Sequence, residues 1–244
     1  MIWPLLLLIG LPSARLTPEA AAEFDRYVAQ AEARMSLDPI RDGRIRAIED
    51  ARHVNAPGAM IQDWVGSTFL PGATLAQVEK ALQDYPNYKN YYAPKVIESK
   101  LIAHSGDDYD AFLRLYEHHV VTVVLNTAYH VSFRMPDAQH LTVASHSTRI
   151  AEVKDPDRSY DVESPVGKDS GFLWRLNSYW HFQAADGGVY AQCEAISLSR
   201  DVPLALGWIL KGFLEGFPKE SMLNTLRGTR AAVESMKGSA ASGY

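Results

Sequence analysis

Eight histidines, one cysteine and a few neighbouring carboxylates are the residues through which this chain could hold a metal or attack a substrate. Their spacing argues against both. His118 and His119 are adjacent, so on a strand they point to opposite faces and cannot share an ion. His140 and His146 share parity but lie six residues apart, about 20 Å at ~3.3 Å per residue. His53, His104, His130 and His181 are isolated in sequence, and the histidines read as solvated strand residues. Cys193 falls in mid-strand among small residues, where a thiol is usually inert packing. A lone cysteine also excludes an intrachain disulfide and a cysteine-rich zinc site. There is no Gly-x-Ser-x-Gly elbow, and Gly66, Gly72 and Gly106 are too scattered to cradle a phosphate. Asp107-Asp108 and Asp155/Asp157 sit in turns and read as solvated. Arg149 is either an exposed charge on a strand or a polar anchor for an acidic ligand head.

No metal and no cofactor is expected from these residues. The 24 basic and 29 acidic side chains give a net charge of −5, which argues against a nucleic-acid partner, since duplex binding needs clustered basic residues. What stands out instead is aromatic: 5 Trp, 12 Tyr and 8 Phe, enough to line a large core or a large pocket.

The elements that would position these residues can be read from the pattern. Met1 to Ala14 carries no charged side chain, and its apolar run is far below the ~18 residues of a spanning helix. It reads as a secretory signal segment with cleavage near Ala14, which implies a periplasmic or secreted protein; without cleavage the protein is cytoplasmic. Residues 15–59 read as an N-terminal helical extension and a linker that holds one or two short strands. Thr17, Pro18 and Glu19 open its helix, and Phe24, Val28 and Ala31 recur at helical spacing. A strand from Met60 to Leu70 ends at Pro71-Gly72, and Thr74 can cap a short helix over 75–82. A second short helix fits Tyr88 to Tyr92. Six extended segments follow, at 95–104, 109–118, 119–134, 140–153, 171–183 and 188–199. Residues 154–170 read as a long polar loop, 203–237 as a helix interrupted at Gly216-Phe217-Pro218, and 238–244 as a frayed tail. Strands joined by tight turns imply an antiparallel sheet. Its apolar face needs cover, and the C-terminal helix is the long helix available for it within 60–237.

One hairpin can be tested by parity. If Asp186-Gly187 is a two-residue turn, Phe182 pairs with Ala191, Trp180 with Cys193, Ser178 with Ala195 and Leu176 with Ser197. Phe172, Trp174, Leu176, Ser178, Trp180 and Phe182 then share one face with Ala191, Cys193, Ala195 and Ser197. Arg175, Asn177, Tyr179, His181, Gln192 and Glu194 take the other. Large side chains face small ones, which either pack as a solid core or leave room for a ligand.

This order of elements resembles the START-like superfamily, also called SRPBCC or helix-grip. Several stretches look like its polyketide cyclase/dehydrase-like branch: Phe69-Leu70-Pro71-Gly72-Ala73 leading into Thr74–Val78; Asp84-Tyr85-Pro86 followed by Tyr88 and Tyr91-Tyr92; Tyr179–Phe182 leading through Asp186-Gly187-Gly188; and Pro218–Ser221 opening a helix with Thr225-Leu226 and Arg230. The resemblance covers about residues 60–236. It implies an α+β helix-grip fold, a curved antiparallel sheet of about seven strands with two short helices after the first strand. A long C-terminal helix would lie across the concave face and enclose a largely apolar cavity. The aromatic face, with Met222 and Leu226 from the helix, would line that cavity, and loop 154–170 would gate it. Tyr85, Tyr88, Tyr91 and Tyr92 either rim its entrance or pack helix onto sheet, packing being favoured.

Three functions follow as expectations. The first is binding or transport of a lipid or other hydrophobic small molecule, with no catalytic residue. The second is a cyclase/aromatase-like enzyme acting on a polyketide-type substrate, which needs an acid or base inside the cavity. The third is an exported interaction module that uses the helix over 17–35 to dock a protein partner, whose identity stays unknown, or to make transient membrane contact.

Overall fold

A two-residue turn decides the centre of the molecule. Asp186 and Gly187 both adopt positive φ, 54° and 73°, the mirror-image geometry that lets two twisted strands meet in a tight hairpin. It joins Arg175–Ala185 and Gly188–Arg200 in the expected register: Ala185 pairs with Gly188, Phe182 with Ala191, Trp180 with Cys193 and Leu176 with Ser197. The protein is described here by a computed structural model, which covers residues 13–47, 58–118, 122–201 and 207–241. The expected signal segment up to Pro12, together with His53, His119 and the end of the tail from Ser242, lies outside these residues.

Within them the strands are β1 (Ala14–Arg15), β2 (Ile45–Ala47), β3 (Ala59–Pro71), β4 (Val96–Ser105), β5 (Asp108–His118), β6 (Thr122–Asp137), β7 (His140–Asp155), β8 (Ser159–Glu163), β9 (Lys168–Asp169), β10 (Arg175–Ala185) and β11 (Gly188–Arg200). The helices are α1 (Pro18–Arg34), α2 (Leu75–Gln83), α3 (Tyr88–Tyr91) and α4 (Gly207–Ala241). The seven long strands form one antiparallel sheet in the order β3-β11-β10-β7-β6-β5-β4. Two short strands extend it to nine: β2 on the β3 edge and β8 against β7. β2 falls in the linker, where one or two short strands were expected, while β8 comes from a stretch expected to be loop, because five residues carry too little alternation to read as a strand. The proposed gate 154–170 is thus partly sheet, and β9 pairs with β1.

α4 runs as one helix through Gly216 and Pro218 rather than breaking there. It lies close against β3 and α3. A Cβ on Gly66 would stand 2.8 Å from Met222 Cγ, and one on Gly228 would stand 2.4 Å from Tyr92 Cδ1. These two glycines let helix backbone and wall approach each other. At α2 the Thr74 cap is a full capping box, with Thr74 accepting from the Gln77 N–H and Gln77 accepting from the Thr74 N–H.

The outer face of the sheet is also covered. α1 begins with Thr17 accepting from the Ala20 N–H, as expected. Its apolar stripe of Ala20, Phe24, Val28 and Ala31 is buried against Ile61, Tyr179, Ile196 and Leu198. That stripe is therefore occupied by the sheet. Several polar residues on this face pair with α1, while Asp63 Oδ1 and both ring nitrogens of His181 are enclosed without a partner. Arg34 reaches Asp63 at 2.5 Å and Glu194 at 2.7 Å, and the Tyr27 hydroxyl donates to Asp63 at 2.8 Å. The Tyr179 hydroxyl donates to Glu32 at 2.8 Å. Burial, and then the neighbouring Asp63 carboxylate, pushes Glu194 from the usual 4.5 up to about 7.

This carries a pH prediction. Between pH 4.5 and 7 the folded chain holds a proton on Glu194 that the unfolded chain has released, so stability falls as pH rises through that window. Glu194→Gln keeps an acceptor for Arg34 and removes the titration. Its stability should fall less than the wild type's between pH 5 and 7.5, by roughly 2 kcal/mol, in urea denaturation at each pH. Parallel pH profiles would contradict the assignment.

Candidate functional site

The inner face of the sheet divides into two halves. Near the 186–187 turn, Phe182, Ala191, Val189 and Leu141 have no exposure and pack beneath α2 and the C-terminal part of α4. This half is solid. Further along the same strands, Leu176, Ser178, Ala195 and Ser197 are only half-buried, although they sit in the interior of the sheet with α4 above them. Residues in such positions are accessible only when a void lies over them. The void has a volume of about 290 Å³, at the lower end of the ~300–1,000 Å³ typical of small-molecule sites.

Its floor comes from alternate residues of the central strands. Trp64 on β3 pairs with Ala195 on β11, and Ala195 pairs with Ser178 on β10. β6 contributes Tyr129, Val131 and Phe133, and β5 contributes Leu113 and Leu115. Met222, Asn224 and Thr225 of α4 form the roof. Tyr85, Tyr88 and Tyr92 close one side, their rings in contact: Tyr85 to Tyr88 at 5.0 Å and Tyr88 to Tyr92 at 4.9 Å. Three of the four tyrosines that flank the short helices thus belong to the wall. Tyr91 is not part of the wall: it packs against the core and donates to Asp84 at 2.8 Å.

Of the residues singled out from sequence, Phe172, Leu176, Ser178, Trp180, Cys193, Ala195, Ser197 and Met222 line the void. Phe182, Ala191 and Leu226 lie in the solid core, so their expected place in the cavity wall is corrected. Trp180 stands at the boundary, stacked on Phe182 at 5.2 Å with an interplanar angle of 8°. Trp174 is on the other side of the sheet. Regular alternation begins only at Arg175, so parity does not reach Trp174. Its indole N–H donates to Asp169 at 3.0 Å and its ring joins the α1 cluster. Arg149 is an outward-facing residue of β7 that pairs with Glu163 of β8, which leaves it no role as an anchor inside the void.

Sequence reasoning missed Trp64, Tyr129, Ser145, Lys95 and Glu117. Trp64 was within reach, because continuing the hairpin register onto β3 sets it beside Ala195. Tyr129 shares parity with Val131 and Phe133, a signal visible once β6 is known to face the helix. Lys95 and Glu117 become neighbours only through the β4–β5 pairing, where Lys95 Nζ meets the two Glu117 oxygens at 2.5 and 2.6 Å. Burial raises the Cys193 thiol well above its ordinary range and the Tyr129 phenol to about 12, so both stay protonated at neutral pH. Among the described residues no group of three His, Cys, Asp or Glu side chains converges on a metal-sized site.

No family model matches the sequence, and no curated protein matches it. Solved structures do. A STAR-related lipid transfer protein fragment from Xanthomonas axonopodis is 18% identical, with 79% of this chain and 99% of that one aligned at a TM-score of 0.51. Human STARD10 is 10% identical over 90% of this chain and 81% of its own, also at 0.51. The Zhui aromatase/cyclase from Streptomyces sp. R1128 is 9% identical over 71% and 94%, again at 0.51. At these identities the likeness is one of fold, and the chain has the START-like, helix-grip fold.

Proposed function

We propose that this protein binds and carries a lipid or another hydrophobic small molecule in the void between the sheet and α4. The observation that carries this reading is the accessibility of Leu176, Ser178, Ala195 and Ser197 in the interior of a helix-covered sheet. The lining is mostly apolar and aromatic, so affinity would come from burial at ~25 cal/mol per Å², with a few polar groups orienting the ligand. The likeness in fold to a STAR-related lipid transfer protein supports the same reading. A cyclase-type enzyme needs a proton-handling group in the void. Glu117, the carboxylate among the described wall residues, is engaged with Lys95, which favours binding over catalysis.

The experiment is uptake from a membrane. Delipidated protein is incubated with dioleoylphosphatidylcholine vesicles containing a monoacylglycerol, separated from them and extracted. The expected result is monoacylglycerol approaching one molecule per chain. Protein recovered free of lipid would overturn the reading. Export is proposed on the apolar run through Ala14 alone. N-terminal sequencing of the protein from its native host should find a chain beginning near Arg15, and an intact Met1 would contradict it.

A further inference from the structure

A row of serines crosses the floor of the mostly apolar void. Ser178 on β10 is the direct cross-strand partner of Ser145 on β7. Ser197 on β11 lies one diagonal step from Ser178, because Ser178 pairs with Ala195. On the other flank Ser145 pairs with Val131 of β6, which sets Tyr129 one diagonal step away. Direct partners stand about 5 Å apart and diagonal ones about 7–8 Å, so three serine hydroxyls are spaced across three adjacent strands.

These hydroxyls are unspent. Among the described residues Ser145, Ser178 and Ser197 have no hydrogen-bond partner, and their oxygens are not sealed into the wall but open onto the void. Tyr129 differs: its ring borders the void, but its phenol oxygen is enclosed away from it, near Thr127. A hydroxyl covered by a ligand and left without a partner costs about 1–3 kcal/mol, so the three serines call for partners that arrive with the ligand.

The charges in the wall narrow the choice. Lys95 and Glu117 are the charged side chains among the described wall residues, and they neutralise each other. A carboxylate or ammonium brought into this space would be desolvated without a counter-charge.

We propose that the ligand is a neutral molecule with an apolar body and several hydrogen-bonding oxygens along one edge, seated on Ser145, Ser178 and Ser197. This rests on the reading of the void as a ligand site and specifies the chemistry it takes.

The test uses three probes on one skeleton: naphthalene, 2,7-dihydroxynaphthalene and 2-naphthoate, each measured by equilibrium dialysis with delipidated protein. The diol should bind at least about tenfold more tightly than naphthalene, and the carboxylate no better than naphthalene. In the combined Ser145→Ala, Ser178→Ala and Ser197→Ala protein the diol's advantage should shrink to about twofold while naphthalene binding stays unchanged, which also shows that the variant is folded. Naphthalene binding without a diol preference, a preference that survives the serine replacements, or tighter binding of the carboxylate would overturn this proposal and spare the ligand site. Binding of none of the three would overturn both.

Discussion

Phe182→Ala should cost roughly 3–5 kcal/mol of stability in the delipidated protein, whereas Leu176→Ala should cost about 1 kcal/mol. Both side chains lie on the same face of β10, six residues apart. Phe182 has no exposure, stacks on Trp180 and lies between Leu141 and Ala191 in the neighbouring strands, so truncation leaves a cavity that the surroundings fill only in part. Leu176 already borders empty space on one side and has fewer neighbours to lose. In a sheet with a uniformly solid core the two replacements would cost similar amounts. Urea denaturation of both variants therefore detects the void through stability alone, without any ligand. Equal losses of about 3 kcal/mol or more at both positions would mean that the inner face is closed along its whole length.

Ala195→Phe should abolish ligand binding with little change in stability. Ala195 sits between Trp64 and Ser178 in the floor of the void and is only half-buried. A phenyl ring there extends into space that is already open, so the overpacking cost stays below about 1 kcal/mol. The same substitution at Ala191, which is fully enclosed opposite Phe182, forces the solid half apart and should cost about 3 kcal/mol or more. Binding can be read with N-phenyl-1-naphthylamine, a neutral hydrophobic fluorophore that should quench Trp64 and Trp180. The Ala195→Phe protein should lose at least about 50-fold in affinity, since the ring occupies the floor that the ligand would cover. Undiminished binding would move the ligand site elsewhere.

How far the sequence carried depended on the range over which each signal acts. The β10–β11 register was legible to the residue, because a two-residue turn and a period of two leave one solution. The starts of α1 and α2 were legible from Thr17 and Thr74, whose caps act within three residues. Trp174 was misplaced because parity was carried past Arg175, where the alternation begins. The buried network under α1 was out of reach for a different reason. Asp63, Glu194 and Arg34 lie far apart in the chain, and a polar strand face looks the same whether it meets water or a helix that satisfies it. The void has the same character. Phe182 and Leu176 share a face and an apolar nature, and only the placement of α2 and α4 makes one solid core and the other wall. Hence the family resemblance conveyed the architecture, while the division between solid and hollow halves required coordinates.

The central claim is that the hollow half holds one hydrophobic molecule. It is tested most directly by native mass spectrometry of the protein purified from its expression host, with the Ala195→Phe variant alongside. The wild-type chain should carry a lipid-sized adduct, one per chain, that is absent from the variant. A wild-type spectrum showing only the bare chain, or an adduct equally abundant in both proteins, would contradict it.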